Sequence, residues 1–379
     1  MIRPRLIPGG LLLFASGFLA TGCGGLVNPQ GWASPVFDDD TVYIFQDKDR
    51  LSAVDLSGGA PAPVRWAFPN EDVPDQDDID FEAGYGEPVA DGDRLYFAGY
   101  EAGVFALDKA TGDIVWRFES VTGSVVGGMA LHDGLLAFGT TEGRLYVINA
   151  ESGTPAPEWP GQGLELSDQV YSAPVAAAGT LYIAAMDGEL TAFDLATADQ
   201  VWDEPFRAGA AVAQLTLLPD GETLFAPTFG RQVFLIDRAT GLARFEEGFR
   251  TSDWVWARPA VAGTIAYFGD FSGNVYALDI TTNLGVWPEP AHTEGRVKAG
   301  PALVGDTLVV VDREPAVYFI SISNGEEQGV FQVQGSGTVR ADLVLQDDTV
   351  YFVTTDGELF RVDPVTRSAI QVSIGEPPS

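Results

Sequence analysis

The sequence predicts an all-β protein, an eight-bladed β-propeller of four-stranded antiparallel blades, on three observations. One unit recurs eight times, and each copy holds four short apolar runs divided by turn residues. The composition, 46% hydrophobic with 44 Gly and 24 Pro, suits many buried strands cut by turns. The clearest copy runs Ser172-Ala173-Pro174-Val175, then Leu181-Tyr182-Ile183, Asp187-Gly188 and Leu190 to Leu195, closing at Val201-Trp202. Copies start near Pro35, Pro88, Met129, Pro174, Leu215, Pro259, Pro301 and Asp342, 41 to 53 residues apart.

Turn chemistry separates the runs within each copy. Asp91-Gly92, Asp133-Gly134, Asp220-Gly221 and Gly305-Asp306 divide the first run from the second; Asp187-Gly188, Ser272-Gly273 and Asp356-Gly357 divide the second from the third. Four strands joined by hairpins form one blade, which can bury its two apolar faces only by stacking on neighbours in a closed ring. Leu95-Tyr96-Phe97, Leu181-Tyr182-Ile183, Ala266-Tyr267-Phe268 and Val350-Tyr351-Phe352, at matching places, are expected to pack blade on blade, as are Trp66, Trp116 and Trp202 at unit ends. The unit departs from its pattern at Asp199 and Arg367, where a turn glycine is missing, and in unit 3, where Pro155-Ala156-Pro157-Glu158 lengthens the last loop.

Residues 1–22 read as an export signal, with Arg3 and Arg5 ahead of the apolar run Leu11 to Ala15 and small residues at Ala20-Thr21-Gly22. The segment is short for a transmembrane helix. Cys23, the one cysteine, follows directly, and Leu19-Ala20-Thr21-Gly22-Cys23 resembles a bacterial lipobox, in which the cysteine is acylated and becomes the new N-terminus. The alternative is ordinary cleavage that releases a soluble protein. The expected division is a signal at 1–22, a lipid anchor and linker at 23–32, the propeller at 33–375 and a tail at 376–379. Acyl chains, at about 0.8 kcal/mol per buried methylene, would hold the protein on a membrane.

The formal charge is −33, and removal of Arg3 and Arg5 with the signal takes it to −35. Nucleic acid and anionic lipid head groups need a basic footprint that such a surface lacks, so neither is an expected partner.

The third and fourth runs carry the most specific wording: Val104-Phe105-Ala106-Leu107-Asp108 with Thr111-Gly112 and Trp116, Val233-Phe234-Leu235-Ile236-Asp237 with Thr240-Gly241, and Val275-Tyr276-Ala277-Leu278-Asp279. This resembles the repeat of pyrroloquinoline-quinone-type propellers. Combined with the lipobox, the chain is similar to the lipoproteins related to BamB, an accessory subunit of the outer-membrane β-barrel assembly machine. The resemblance implies a non-catalytic, extracytoplasmic scaffold, lipid-anchored to the outer membrane where one exists, with an envelope-protein partner. Quinoprotein dehydrogenases of the wider family are longer and use a vicinal cysteine pair, a calcium-binding acid and a stacking tryptophan. Here Cys23 stands alone, and His132 and His292 lie in different units with no metal-ligand spacing. His132, in the Leu131-His132-Asp133-Gly134 hairpin, is expected to be a solvated turn residue. No nucleophile elbow, Walker loop or dinucleotide fingerprint occurs. No cofactor is therefore expected; pyrroloquinoline quinone or calcium is the alternative, with the propeller acting as a small-ligand sensor or degenerate quinoprotein.

With strands running from the axis outward, the loops between units share one face with the second-to-third-strand hairpins. That face carries an acidic loop, Glu71 to Glu82, with seven carboxylates in twelve residues. Asp75, Asp77, Asp78 and Asp80 are its candidate calcium ligands, but the glycine and closing spacing of an EF-hand are absent, and a solvated loop is favoured. Arg258, Lys298 and Arg340 fall at or just before the first strand of units 6, 7 and 8, and Glu87 at the comparable place in unit 2. A positive arc is expected there in the funnel of an otherwise acidic ring, near Trp254, Trp256 and His292. Two readings stay open: a pocket for a carboxylate, peptide terminus or acidic loop, or charges that pair with one another and with Asp253 and Asp342.

Overall fold

The computed structural model describes residues 31–46, 49–70, 72–76, 79 and 81–378; the export signal and Cys23 lie outside the described residues. The chain forms eight antiparallel sheets of four strands each, and no helix occurs among the described residues. The first strands of the blades are Val36–Asp38, Val89–Asp91, Met129–His132, Val175–Ala177, Thr216–Leu217, Ala260–Ala262, Ala302–Val304 and Val344–Gln346. Each opens a continuous stretch that supplies its blade's second, third and fourth strands in order. In blade 6 the fourth strand is split into Leu284–Gly285 and Ala291–His292, both pairing with Asn274–Asp279.

The second and third strands are the core. Leu95 to Gly99 and Val104 to Leu107 are buried without interruption, as are their counterparts in most other blades, because these strands have a neighbouring blade on both faces. The two-residue hairpins follow the sequence signals: Leu135 pairs with His132 across Asp133-Gly134, and Arg94 with Asp91 across Gly92-Asp93.

Tryptophans clasp blade to blade. The Nε1 of Trp66, Trp116, Trp159, Trp202 and Trp287 donates to the carbonyls of Lys109, Ala150, Leu195, Arg238 and Ile322 in the following blade, at 2.8–3.0 Å. The indole face of Trp202 rests on Gly241, whose φ of +72° and lack of a side chain make room; a Cβ there would lie 2.5 Å from Trp202 Cδ2. Trp159 comes from the lengthened loop of unit 3, so the insertion preserves the clasp. In blade 4 the left-handed residue is Ala198, at φ +60°, one position before the Asp199 singled out from the sequence, because the turn counts from Asp194 as the turn of blade 2 counts from Asp108. Arg367 takes the same conformation in blade 8, at φ +54°.

The ring closes without exchanging a strand. Ala62 N donates to Ser373 O at 2.7 Å and Gly375 N to Ala62 O at 2.8 Å, so the end of blade 8 runs parallel to blade 1 at Ala62. Val42, Ile44, Val54, Val64 and Leu359 pack behind that seam with Val372 and Ile374.

Candidate functional site: the funnel mouth

One hydrogen bond fixes the face on which the funnel opens. In blades 2 to 8 the first or second residue of the second-to-third-strand hairpin donates its N–H to the segment that leads into the same blade: Tyr100 to Ala83, Thr141 to Ser124, Met186 to Gln169, Phe229 to Ala211, Phe271 to Trp254, Arg313 to Arg296 and Thr355 to Thr338, at 2.8–3.0 Å. The lead-in segments and these hairpins therefore form one surface. Alternation along an extended chain then sets the depth of each lead-in residue.

Two positions past the bonded carbonyl comes the rim of the funnel: Tyr85, Val126, Tyr171, Ala213, Trp256 and Arg340 line its cavity, with Trp32 serving blade 1, and Lys298 holds the equivalent place in blade 7, outside the cavity wall. Two positions deeper lies a second layer, in which Ser34, Glu87, Arg258 and Asp342 are polar, Gly128 and Ala173 are small and Leu215 is apolar; Gly300 holds the equivalent place in blade 7. Below it the first strands line the channel with Val36, Ala90, Val175 and Leu217. Together these layers enclose a cavity of about 460 Å³.

The deeper layer is bridged. Arg258 of blade 6 donates Nε to Asp342 of blade 8 at 2.7 Å and NH2 to Glu87 of blade 2 at 2.6 Å. Asp342 in turn accepts Gly300 N at 2.6 Å, and its own N–H donates to Ser34 Oγ at 3.1 Å. Arg258 can reach because blade 7 contributes glycine at this level: a Cβ on Gly300 would lie 2.8 Å from both Arg258 O and Asp342 Oδ1. Burial opposes the charge on Arg258, but Asp342 and Glu87 outweigh it and hold the guanidinium pKa above its ordinary value. Arg258 is thus a cross-brace of three blades, 6, 8 and 2.

Lys298 and Arg340 stand one layer higher than Arg258, so the three cations do not share a level as the sequence spacing suggested; Arg258 aligns with Glu87 and Asp342, the other two with Trp256. Lys298 Nζ sits 5.0 Å above the Phe271 ring and the Arg340 guanidinium 5.8 Å from Trp32. Burial, then repulsion from Arg340, Arg313 and Arg296, lowers the Lys298 pKa. Trp254 lies on the outer side of the rim, stacked on Phe229 at 5.0 Å and 42% exposed, while Trp256 stacks on Phe229 at 5.5 Å. Trp32 meets Tyr85 edge-on at 4.4 Å and Trp256 at 6.2 Å. Asp253 does not join the brace; it accepts Trp254 N and Ser272 Oγ.

Two sequence expectations fail on position. His292 is not near the funnel: it sits on the split fourth strand of blade 6, exposed and 3.3 Å from Asn274 Oδ1, because the lead-in to blade 7 begins only after it. His132 is not a free turn residue: its Nε2 accepts Gly179 N at 3.1 Å, tying the hairpins of blades 3 and 4. Of the acidic loop, Asp75 is exposed and takes a φ of +70°, whereas Asp77, Asp78 and Asp80 lie outside the described residues. Among the described residues, no group of three or more His, Cys, Asp or Glu is arranged to hold a metal ion. The aromatic rim members Trp32, Tyr85 and Tyr171 and the hairpin rings Phe229 and Phe271 carry no motif of their own; the rim emerges on aligning the units three or four residues ahead of each first strand.

The sequence matches the family model described as outer membrane protein assembly factor BamB over residues 47–156, 101–328 and 286–370, which together span nearly the whole ring. The chain belongs to the BamB family. BamB of Burkholderia pseudomallei strain K96243 is 28% identical over 121 residues, a stretch that covers 32% of this chain and 30% of that protein. The crystal structure of BamB from Moraxella catarrhalis superposes with a TM-score of 0.68 at 18% identity, covering 87% of this chain and 93% of the other. The computationally designed Ika8 protein reaches the same TM-score at 14% identity, with 88% and 96% covered. At these identities the structural likeness is one of fold. The BamB-family assignment rests on the repeat sequence itself.

Proposed function

We propose that this BamB-family propeller is a non-catalytic envelope lipoprotein, anchored through acylated Cys23, that serves as a docking scaffold in outer-membrane β-barrel assembly and presents its funnel face to an envelope-protein partner. The observation that carries the reading is the family match across residues 47–370, since the matching relatives are named for that assembly. The geometry is in keeping with it. The arginine best placed for chemistry at the base of the funnel, Arg258, is committed to Glu87 and Asp342. Exposed Trp254 and the half-buried Lys298 and Arg340 are of the kinds that anchor protein interfaces. The lipid anchor rests on Leu19-Ala20-Thr21-Gly22-Cys23.

The test is mild detergent extraction of the native protein with crosslinking and identification of what is recovered. Recovery of a β-barrel assembly subunit, lost when Cys23→Ser frees the protein from the membrane, supports the reading; recovery of the protein alone opposes it. The 460 Å³ cavity favours one second reading, a small-ligand or cofactor site, because it falls within the size range of ligand pockets. An absorbance scan of the same preparation tests it.

A further inference from the structure

Cations are scarce here, 21 Lys and Arg against 54 Asp and Glu, yet four of them gather on one arc of the funnel face. Arg296 and Lys298 lie in the segment that leads into blade 7. Arg313 lies in the hairpin of blade 7 and donates its backbone N–H to Arg296 O at 2.8 Å. Arg340 leads into blade 8, and its neighbour Val339 donates to Arg313 O at 3.2 Å. Several cations elsewhere pair with the chain's own carboxylates, as Arg65 does with Asp55, Lys109 with Asp38 and Arg207 with Glu189. Arg296, Lys298 and Arg313 make no ion pair among the described residues. Glu294 and Glu314 are near in sequence but exposed, and beside burial it is the charges of Arg340, Arg313 and Arg296 that lower the Lys298 pKa. A cluster of like charges costs stability, so its retention in so acidic a chain points outward to an anion.

The surface beside the cluster is aromatic. Phe271 lies under Lys298, and Trp254, 42% exposed, lies on Phe229. The complement of such a surface is a carboxylate close to an aromatic side chain.

We propose that the arc of Arg296, Lys298, Arg313 and Arg340 receives a short acidic segment of the partner protein, with its carboxylates on the cations and an aromatic side chain on Trp254 and Phe229. This rests on the scaffold reading and names the chemistry of its contact. The acidic remainder of the propeller repels such a segment, so recognition is confined to this arc, and steering by it weakens with salt.

The test uses the full-length protein in detergent and fluorescently labelled peptides of three kinds: Asp-Phe-Asp-Glu-Phe, the same with lysines for the acids, and the same with glycines for the phenylalanines. The acidic aromatic peptide is expected to bind at least tenfold more tightly than either control, and more weakly as salt rises. Lys298→Glu with Arg313→Glu is expected to abolish that preference, Lys298→Gln to reduce it several-fold, and Arg207→Glu, on the outer strand of blade 4, to leave it unchanged. Equal binding of acidic and lysine peptides, or equal loss with Arg207→Glu, overturns the proposal. Phenylacetate binding as tightly as the peptide also overturns it and assigns a small-molecule site instead. Partner crosslinking with Lys298→Glu/Arg313→Glu separates the two claims: undiminished capture removes the acidic segment and leaves the scaffold standing, while absence of any partner from the wild-type protein removes the scaffold.

Discussion

If Arg258 is a brace, its contribution is measurable as a coupling energy with Glu87. The two side chains are 35% and 37% exposed and 2.6 Å apart, and Asp342, 12% exposed, takes the other side of the guanidinium at 2.7 Å. Breaking a fully buried ion pair costs about 3–5 kcal/mol, and an exposed one about 0.2–1 kcal/mol. A site one-third open to solvent falls between, so Arg258→Gln should cost about 2 kcal/mol and Glu87→Gln about 1 kcal/mol. The double variant should cost about 1 kcal/mol less than the sum, because the second change has no bond left to break. For a domain of this size 1 kcal/mol moves the melting temperature by about 2 °C, so Arg258→Gln should melt about 4 °C below the parent. Thermal unfolding of the four proteins at constant salt gives the cycle. Coupling below about 0.3 kcal/mol, within the usual scatter of additive sites, would refute the brace and return Arg258 to the set of groups free to bind a ligand.

Gly300→Ala should destabilise the same layer by about 2 kcal/mol, because its Cβ, 2.8 Å from Arg258 O and Asp342 Oδ1, forces one of them to move; an unchanged melting temperature would count against the close approach. Gly241→Ala should cost about 3 kcal/mol or more, combining left-handed strain with displacement of Trp202, whereas Ala198→Gly should be neutral or stabilising by about 1 kcal/mol; the two are compared by denaturant midpoints, and equal signs would contradict the clasp. Acid should weaken the ring through the turn aspartates. Hydrogen bonds from Ser57 and Arg65 lower Asp55 to about 2, and hydrogen bonds within the turns lower Asp237, Asp279 and Asp363. A depressed folded-state value means stability that is present above the unfolded value, about 3.9, and lost as pH falls toward the folded one. Melting temperature should therefore drop between about pH 4 and pH 2, and the Asp237→Asn/Asp279→Asn/Asp363→Asn variant should show a shallower drop; identical slopes would contradict this origin.

The ring was legible because its signal is repeated. Eight first strands begin within two residues of the predicted unit starts, since each start is marked by the same alternation and each turn by the same Gly and Asp chemistry. The tryptophan clasps were legible for the same reason, although Trp159 was hidden by the insertion that carries it. The site was legible only in part. Spacing from the first strand points Arg258, Lys298 and Arg340 to the funnel mouth, but residues two apart on an extended chain lie at two depths, and only the fold separates the braced arginine from the two cations above it. His292 was misplaced because the split outer strand delays the turn inward. The bond between Arg258 and Glu87 links residues 171 positions apart and four blades round the ring, a relation that no local pattern encodes.

The most direct test of the docking account is site-specific photocrosslinking in cells. A crosslinker is placed in turn at Trp254, Met186 and Glu101 on the funnel face, and at Asp93, Asp220 and Asp306 on the opposite face. The account predicts that a β-barrel assembly subunit is captured from the funnel-face positions, most strongly from Trp254. Capture of that subunit from the opposite face alone would contradict it.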